Sequence, residues 1–131
     1  MVVNLNQVTI PSVNVEKATA FYKLLGLQLI VDALPRYVRF ECSEGDATFS
    51  IHNVNELPKG DGIIVYFEND NLDEHVQNLM DKGVQFEELP NDKNWLWREA
   101  KLRDTDNNQI IIFQAGKNRK NPPWRIKDNQ I

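Results

Sequence analysis

Trp95-Leu-Trp-Arg-Glu-Ala-Lys-Leu-Arg-Asp104-Thr-Asp-Asn-Asn-Gln-Ile-Ile-Ile-Phe113 is the stretch whose reading decides the fold. Ala100 and Leu102 alternate with charged neighbours, the period of two expected of a half-buried strand over 95–102. Asp104-Thr105-Asp106-Asn107-Asn108 is dense in residues that bond their own backbone or tolerate left-handed conformations, as a hairpin turn requires. A second strand follows over 109–113. The stretch is a β-hairpin.

Working outward from it, the chain reads as two copies of one plan. In the second copy, 62–67 is a strand and Asn69-Asp70-Asn71 offers a helix cap. Leu72, Val76, Leu79 and Met80 then recur at helical spacing, Gly83 ends the helix, and 84–87 is a short strand before the hairpin. In the first copy, Leu5 to Ile10 alternates as a strand that Pro11 ends. Ser12 or Asn14 caps a helix carrying Val15, Ala18, Phe21, Tyr22 and Leu25 on one face, and Gly26 stops it. Strands are predicted over 28–32, 37–42 and 47–52. Gly26-Leu-Gln-Leu and Gly83-Val-Gln-Phe occupy equivalent places, as do Val15 and Leu72, and Tyr22 and Leu79. The predicted fold class is α+β: two βαβββ modules forming a cupped mixed or antiparallel sheet, with helices on the outer face. The modules span 1–55 and 61–115, joined by a linker over 56–60. The tail over 116–131 packs on the domain or on a partner, with Trp124 in a packing role. A ferredoxin-like sandwich competes, but its units carry fewer strands per helix.

A chain of 131 residues can bury a proper core without staples. Its 41% hydrophobic and 26% charged content is ordinary for a soluble globular protein. A net charge of -4 with no basic stripe argues against nucleic acid as the main partner. No apolar run reaches the roughly 20 residues needed to span a bilayer, so no membrane partner is expected. The amino terminus lacks the pattern of a signal peptide. The single cysteine, Cys42, rules out an internal disulfide and fits a reducing compartment, so a cytoplasmic location is expected.

The hairpin resembles that of the vicinal oxygen chelate superfamily, the glyoxalase/bleomycin-resistance/dioxygenase proteins. There a W-G-x-R-E strand is followed by D-P-D-G-N and a strand carrying a metal-binding glutamate. The stretch from Gln7 to Gly26, with Phe21-Tyr22 and Leu25-Gly26 closing its helix, resembles the superfamily's opening. Val65-Tyr-Phe-Glu-Asn-Asp-Asn-Leu72 resembles the counterpart in the second module. The resemblance covers residues 4–115 and implies a homodimer. In its metal-dependent members a divalent ion sits in the cup, and the corresponding positions here are Gln7, Ser50, Ile64 and Ile111. An isoleucine has no electron pair to donate, and divalent ions want three or more protein donors. Lactoylglutathione lyase activity, which needs a metal-bound carboxylate to shuttle a proton, is therefore not expected. Ring-cleaving dioxygenase chemistry, which needs two His and a carboxylate, fails likewise.

What the cup would then hold is a small, partly planar hydrophobic or aromatic molecule, bound without a cofactor. The ligand-binding candidates are Gln7, Thr9, Ser50, His52, Tyr66, Trp97, Ile111 and Phe113. Trp95 and Trp97 would add stacking surface, and Arg39 and Arg98 would suit an anionic group. Against this stand two other readings. One is an atypical metal-dependent lyase, isomerase or dioxygenase, with a divalent metal on Gln7, His52 and Glu99, and with His52 and Glu99 as catalytic candidates. The other is a scaffold whose aromatics simply fill the sheet. His75, among Asp73, Glu74 and Gln77, reads as an exposed helical residue.

Overall fold

A computed structural model of the chain describes residues 3–127. Two compact units make it up. One runs to Gly62 and also includes Asp104–Asn108; the other comprises Ile63–Arg103 and the chain from Gln109 onward.

The first unit holds β1 (Gln7–Ser12), α1 (Val15–Leu25), β2 (Gln28–Ala33), β3 (Tyr37–Glu41) and β4 (Thr48–Asn53). Its sheet has the order β1-β4-β3-β2, with β1 parallel to β4 and the other pairs antiparallel. Asn14 caps α1 by accepting a hydrogen bond from the Lys17 amide at 3.0 Å. Gly26 ends the helix at φ 110°, a left-handed conformation that costs glycine nothing. The face carrying Val15, Ala18, Tyr22 and Leu25 is buried, as the helical spacing requires. Strand alternation sends Val8, Ile10, Val38, Phe40, Phe49 and Ile51 to the helix side. Tyr22 meets the ring of Phe49 at 4.7 Å and that of Phe40 at 6.3 Å.

Pro11 does not end β1, which continues through it to Ser12. The strand lies at the sheet edge, where a proline's missing N–H need not interrupt a ladder.

The turn over 104–108 completes this unit. The Tyr22 hydroxyl donates to Asp104 Oδ2 at 2.5 Å. The other oxygen, Oδ1, accepts from the amides of Asp106 and Asn108 at 2.9 and 2.8 Å. The Val13 amide donates to Asp106 Oδ1 at 3.0 Å. Asn107 takes the left-handed conformation, φ 66°, that a turn of this kind demands and that asparagine tolerates. Asp104 and Asp106 are both buried.

The second unit repeats the plan with β5 (Ile64–Glu68), α2 (Leu72–Asp81), β6 (Glu88–Asp92), β7 (Arg98–Arg103) and β8 (Gln109–Gln114). The order is β5-β8-β7-β6, with β5 parallel to β8 and the remaining pairs antiparallel. Leu72, Val76 and Leu79 of α2 are buried, as are Ala100, Leu102, Ile110 and Ile112 on the strands. Each unit is thus a βαβββ module, the fold class read from the sequence. Among the described residues no helix is long and apolar enough to cross a membrane.

Two boundaries differ from expectation in this unit. The strand predicted over 84–87 lies instead at Glu88–Asp92, because Val84 is buried closing α2, its amide donating to Leu79 O at 3.0 Å. The strand contains Pro90, tolerated at an edge with a register shift between Glu88 and Asn91. Strand β7 starts at Arg98 rather than Trp95. The Lys93 amide donates to Trp97 O and the Leu96 amide to Lys93 O, closing a loop in which Leu96 adopts φ 67°. Trp124 is 56% exposed. The tail is tied down earlier, where Trp97 Nε1 donates to Asn118 O at 3.1 Å and Arg119 lies 3.6 Å from Glu68.

Burial first, then the charge and hydrogen bond of Asp104, push the Tyr22 hydroxyl far above the usual tyrosine range. In the unfolded chain that hydroxyl ionises near pH 10. Above this pH only the unfolded state sheds the proton, so stability falls as pH rises beyond about 10. The expected result of Tyr22→Phe is a loss of roughly 1.5–3 kcal/mol at pH 7, the scale of a hydrogen bond to a charged group. The variant also loses part of the alkaline decline, as urea unfolding at pH 7 and 11 would measure.

Candidate functional site

In each module the sheet face turned away from the helix, its open face, collects the residues singled out from sequence. On the first module's open face the register aligns Gln7 with Thr48, Thr9 with Ser50 and Arg39, and Pro11 with His52 and Tyr37. Gln7 Oε1 accepts from Thr48 Oγ1 at 2.7 Å, and Thr9 Oγ1 lies 2.6 Å from Ser50 Oγ. Arg39 Nε donates to the Tyr37 hydroxyl at 2.9 Å, its guanidinium carbon 5.4 Å from the ring centroid. Gln7 and His52 sit four register positions apart, a separation of about 13 Å along the strands. They do not converge on one point.

Tyr37 was not singled out from sequence, although it alternates with Arg39 on β3 and so had to share its face. Burial raises the Tyr37 hydroxyl, but hydrogen bonds from Ser50 and Arg39, with the guanidinium charge, outweigh it and leave the group below the ordinary tyrosine value. Ser50 itself is fully buried. Among the described residues Arg39 has no carboxylate partner, whereas Arg98 is held by Asp73 at 2.9 Å and Asp92 at 3.0 Å. Arg98 pairs across the sheet with Gln114, out of step with the open-face residues. Arg39, not Arg98, is the guanidinium free to meet an anion.

The second module's open face is aromatic. Parallel pairing sets Tyr66 beside Ile111, and antiparallel pairing sets Glu99 beside Phe113. Trp97 stacks on Phe113 with centroids 4.6 Å apart and an 18° interplanar angle. Tyr66 meets both edge-on, at 5.9 Å from Trp97 and 5.7 Å from Phe113. Ile111 and Phe113 are buried, while Tyr66 keeps 45% of its surface exposed. Trp95 leaves the strand for the preceding loop, and its Nε1 donates to Glu99 Oε2 at 2.6 Å. Beside this cluster a depression of about 590 Å³ shares Trp97 and is also lined by Asp70, Asp92, Lys93, Leu96 and Gln114.

The resemblance aligns Gln7, Ser50, Ile64 and Ile111 with metal-ligand positions. Gln7 and Ser50 spend their oxygens on Thr48 and Thr9, and Ile64 and Ile111 have no donor atom. Among the described residues no three His, Cys, Asp or Glu side chains gather at one point. His52 and Gln7 belong to the first module and Glu99 to the second.

The profile of the Glyoxalase/Bleomycin resistance protein/Dioxygenase superfamily matches residues 4–112. The chain belongs to that superfamily. Among solved structures, it is similar to lactoylglutathione lyase from Agrobacterium tumefaciens, with 16% identity and a TM-score of 0.72 over 85% of this chain and 92% of that one. A superfamily member from Sphaerobacter thermophilus is similar at 22% identity and a TM-score of 0.70, covering 86% and 98%. TioX from Micromonospora is similar at 15% identity and a TM-score of 0.70, again covering 86% and 98%. At these identities the likeness establishes the fold. No curated protein matches the sequence.

Spectrophotometric titration of the tyrosines should resolve one group, Tyr37, ionising below the other two. Arg39→Ala removes a hydrogen bond and a positive charge, so it should move that transition up toward the ordinary value near 10. A titration unchanged by the substitution would show that Arg39 does not govern Tyr37.

Proposed function

We propose that this chain is a binding protein for a small, planar hydrophobic or aromatic molecule, held on the open face of its second module without a protein-bound metal ion. The observation that carries the reading is the Tyr66–Trp97–Phe113 cluster standing over Ile111, where metal-dependent relatives would carry a glutamate. Buried Phe113 and half-buried Trp97 form a rigid floor, and the exposed half of Tyr66 offers an aromatic surface to solvent. Such a surface gains both from apolar burial and from ring geometry. The donor chemistry supports the same view: two isoleucines among four ligand positions leave no Lewis acid for lyase chemistry and no facial triad for ring cleavage. Gln7, Thr9, Ser50 and His52 give the first module's own open face a polar character suited to hydrogen bonding. The resemblance to the superfamily adds a homodimer to the proposal.

Quenching of tryptophan fluorescence by a panel of planar aromatics tests it. Saturable binding is expected, unchanged by a chelator, with Tyr66→Ala weakening it about fivefold for the loss of roughly 1 kcal/mol of ring contact. Absence of saturable binding across the panel, or a stoichiometric divalent ion whose removal by His52→Ala abolishes it, would overturn the reading.

A further inference from the structure

Glu99 is 5% exposed, yet among the described residues it forms no ion pair. Among the described residues its one hydrogen-bond donor is Trp95 Nε1, on Oε2. Among the described residues neither nearby lysine forms an ion pair with Glu99. Lys93 is bonded to Glu88 Oε1, and the charge of Lys101, two residues along the strand, also acts on Glu88. Asn91, paired across the sheet from Glu99, donates through Nδ2 to Glu88 Oε1 and Leu89 O instead. Burying a carboxylate without an opposite charge is costly, and proteins ordinarily pair it or bind a cation there.

The surroundings of Glu99 suit an organic cation. Its cross-strand neighbour is Phe113, and its charge is felt by the Tyr66 hydroxyl, which burial and Glu99 together raise above the ordinary tyrosine value. Trp95 is pinned by its indole N–H and still 46% exposed, so part of its ring surface stays open to solvent. Electron-rich ring faces attract a cation, and a desolvated carboxylate beside them strengthens that attraction. The net charge of -4 favours approach of a positive ligand.

We propose that the second module's open face takes a planar molecule bearing a positive charge, with Glu99 as its counter-ion and the rings of Tyr66 and Trp95 as its walls. The proposal rests on the binding function above and narrows its ligand class to protonated amines and quaternary ammonium compounds.

Three probes of one ring system test it by fluorescence titration. They are 9-aminoacridine, cationic with N–H donors; 10-methylacridinium, cationic without them; and acridone, neutral. The wild-type protein should bind the better cation at least tenfold more tightly than acridone. Glu99→Gln keeps an oxygen for the Trp95 indole and removes the charge, so it should weaken cation binding about tenfold and leave acridone within twofold. Weakening of both cations supports the proposal; weakening of 9-aminoacridine alone assigns the contact to its N–H groups and overturns the counter-ion role of Glu99. Equal wild-type affinity for acridone and the cations overturns it while leaving an aromatic-binding function standing. That readout needs no variant to fold. Binding of none of the three overturns the proposal and counts against the binding function as well.

Discussion

A phenol hydroxyl donating to a carboxylate 82 residues away holds the first module together. Tyr22 stands at the centre of that module's core, between α1 and the rings of Phe40 and Phe49, where an unpaired hydroxyl would be costly. Asp104 supplies the acceptor and is itself prepared for the task. The amides of Asp106 and Asn108 and the side-chain amide of Asn108 fix its two oxygens before Tyr22 is counted. Asp106 adds a further tie by accepting from the Val13 amide just ahead of α1. A turn that joins two strands of the second sheet is therefore structural material of the first unit.

Much of this was legible in the sequence, and the parts that were not have identifiable causes. The open-face positions of Tyr66, Ile111 and Phe113 follow from the period of two along buried strands, which leaves no freedom once the hydrophobic face is known. The helix limits followed from Asn14, Gly26 and Gly83, whose side chains or lack of them fix backbone conformation. Strand β6 was misplaced because it is a polar edge strand with a proline and carries almost no alternation. Trp95 was misplaced because Leu96 takes a left-handed conformation that leucine seldom adopts, which no propensity anticipates. The Asp104 run was readable as a turn from local chemistry, but its service to Tyr22 depends on a tertiary contact that no local pattern encodes.

The same division runs through the candidate site. Ile111, where the resemblance implies a ligand carboxylate, is visible at once, because the chemistry of one side chain decides it. Glu99 is harder: alternation placed it on the open face, yet its burial and its lack of an ion pair emerge only when Trp95 folds back over it. Tyr37 shares a face with Arg39 by alternation alone, but the hydrogen bond between them is a contact that only the fold reveals. The two open faces therefore differ in character. The first presents hydroxyls and a guanidinium that has no carboxylate partner among the described residues, and the second presents rings around a carboxylate.

The placement of residues 104–108 in the first unit also bears on biosynthesis. A ribosome that has released Gly62 has made every strand and helix of that unit, but not the turn that satisfies Tyr22. At about 5–20 residues per second, the missing acceptor follows a few seconds later. During that interval the Tyr22 hydroxyl lacks its Asp104 acceptor, which arrives only when the far hairpin emerges. Duplicated in sequence, the two halves are not equals in the order of their completion.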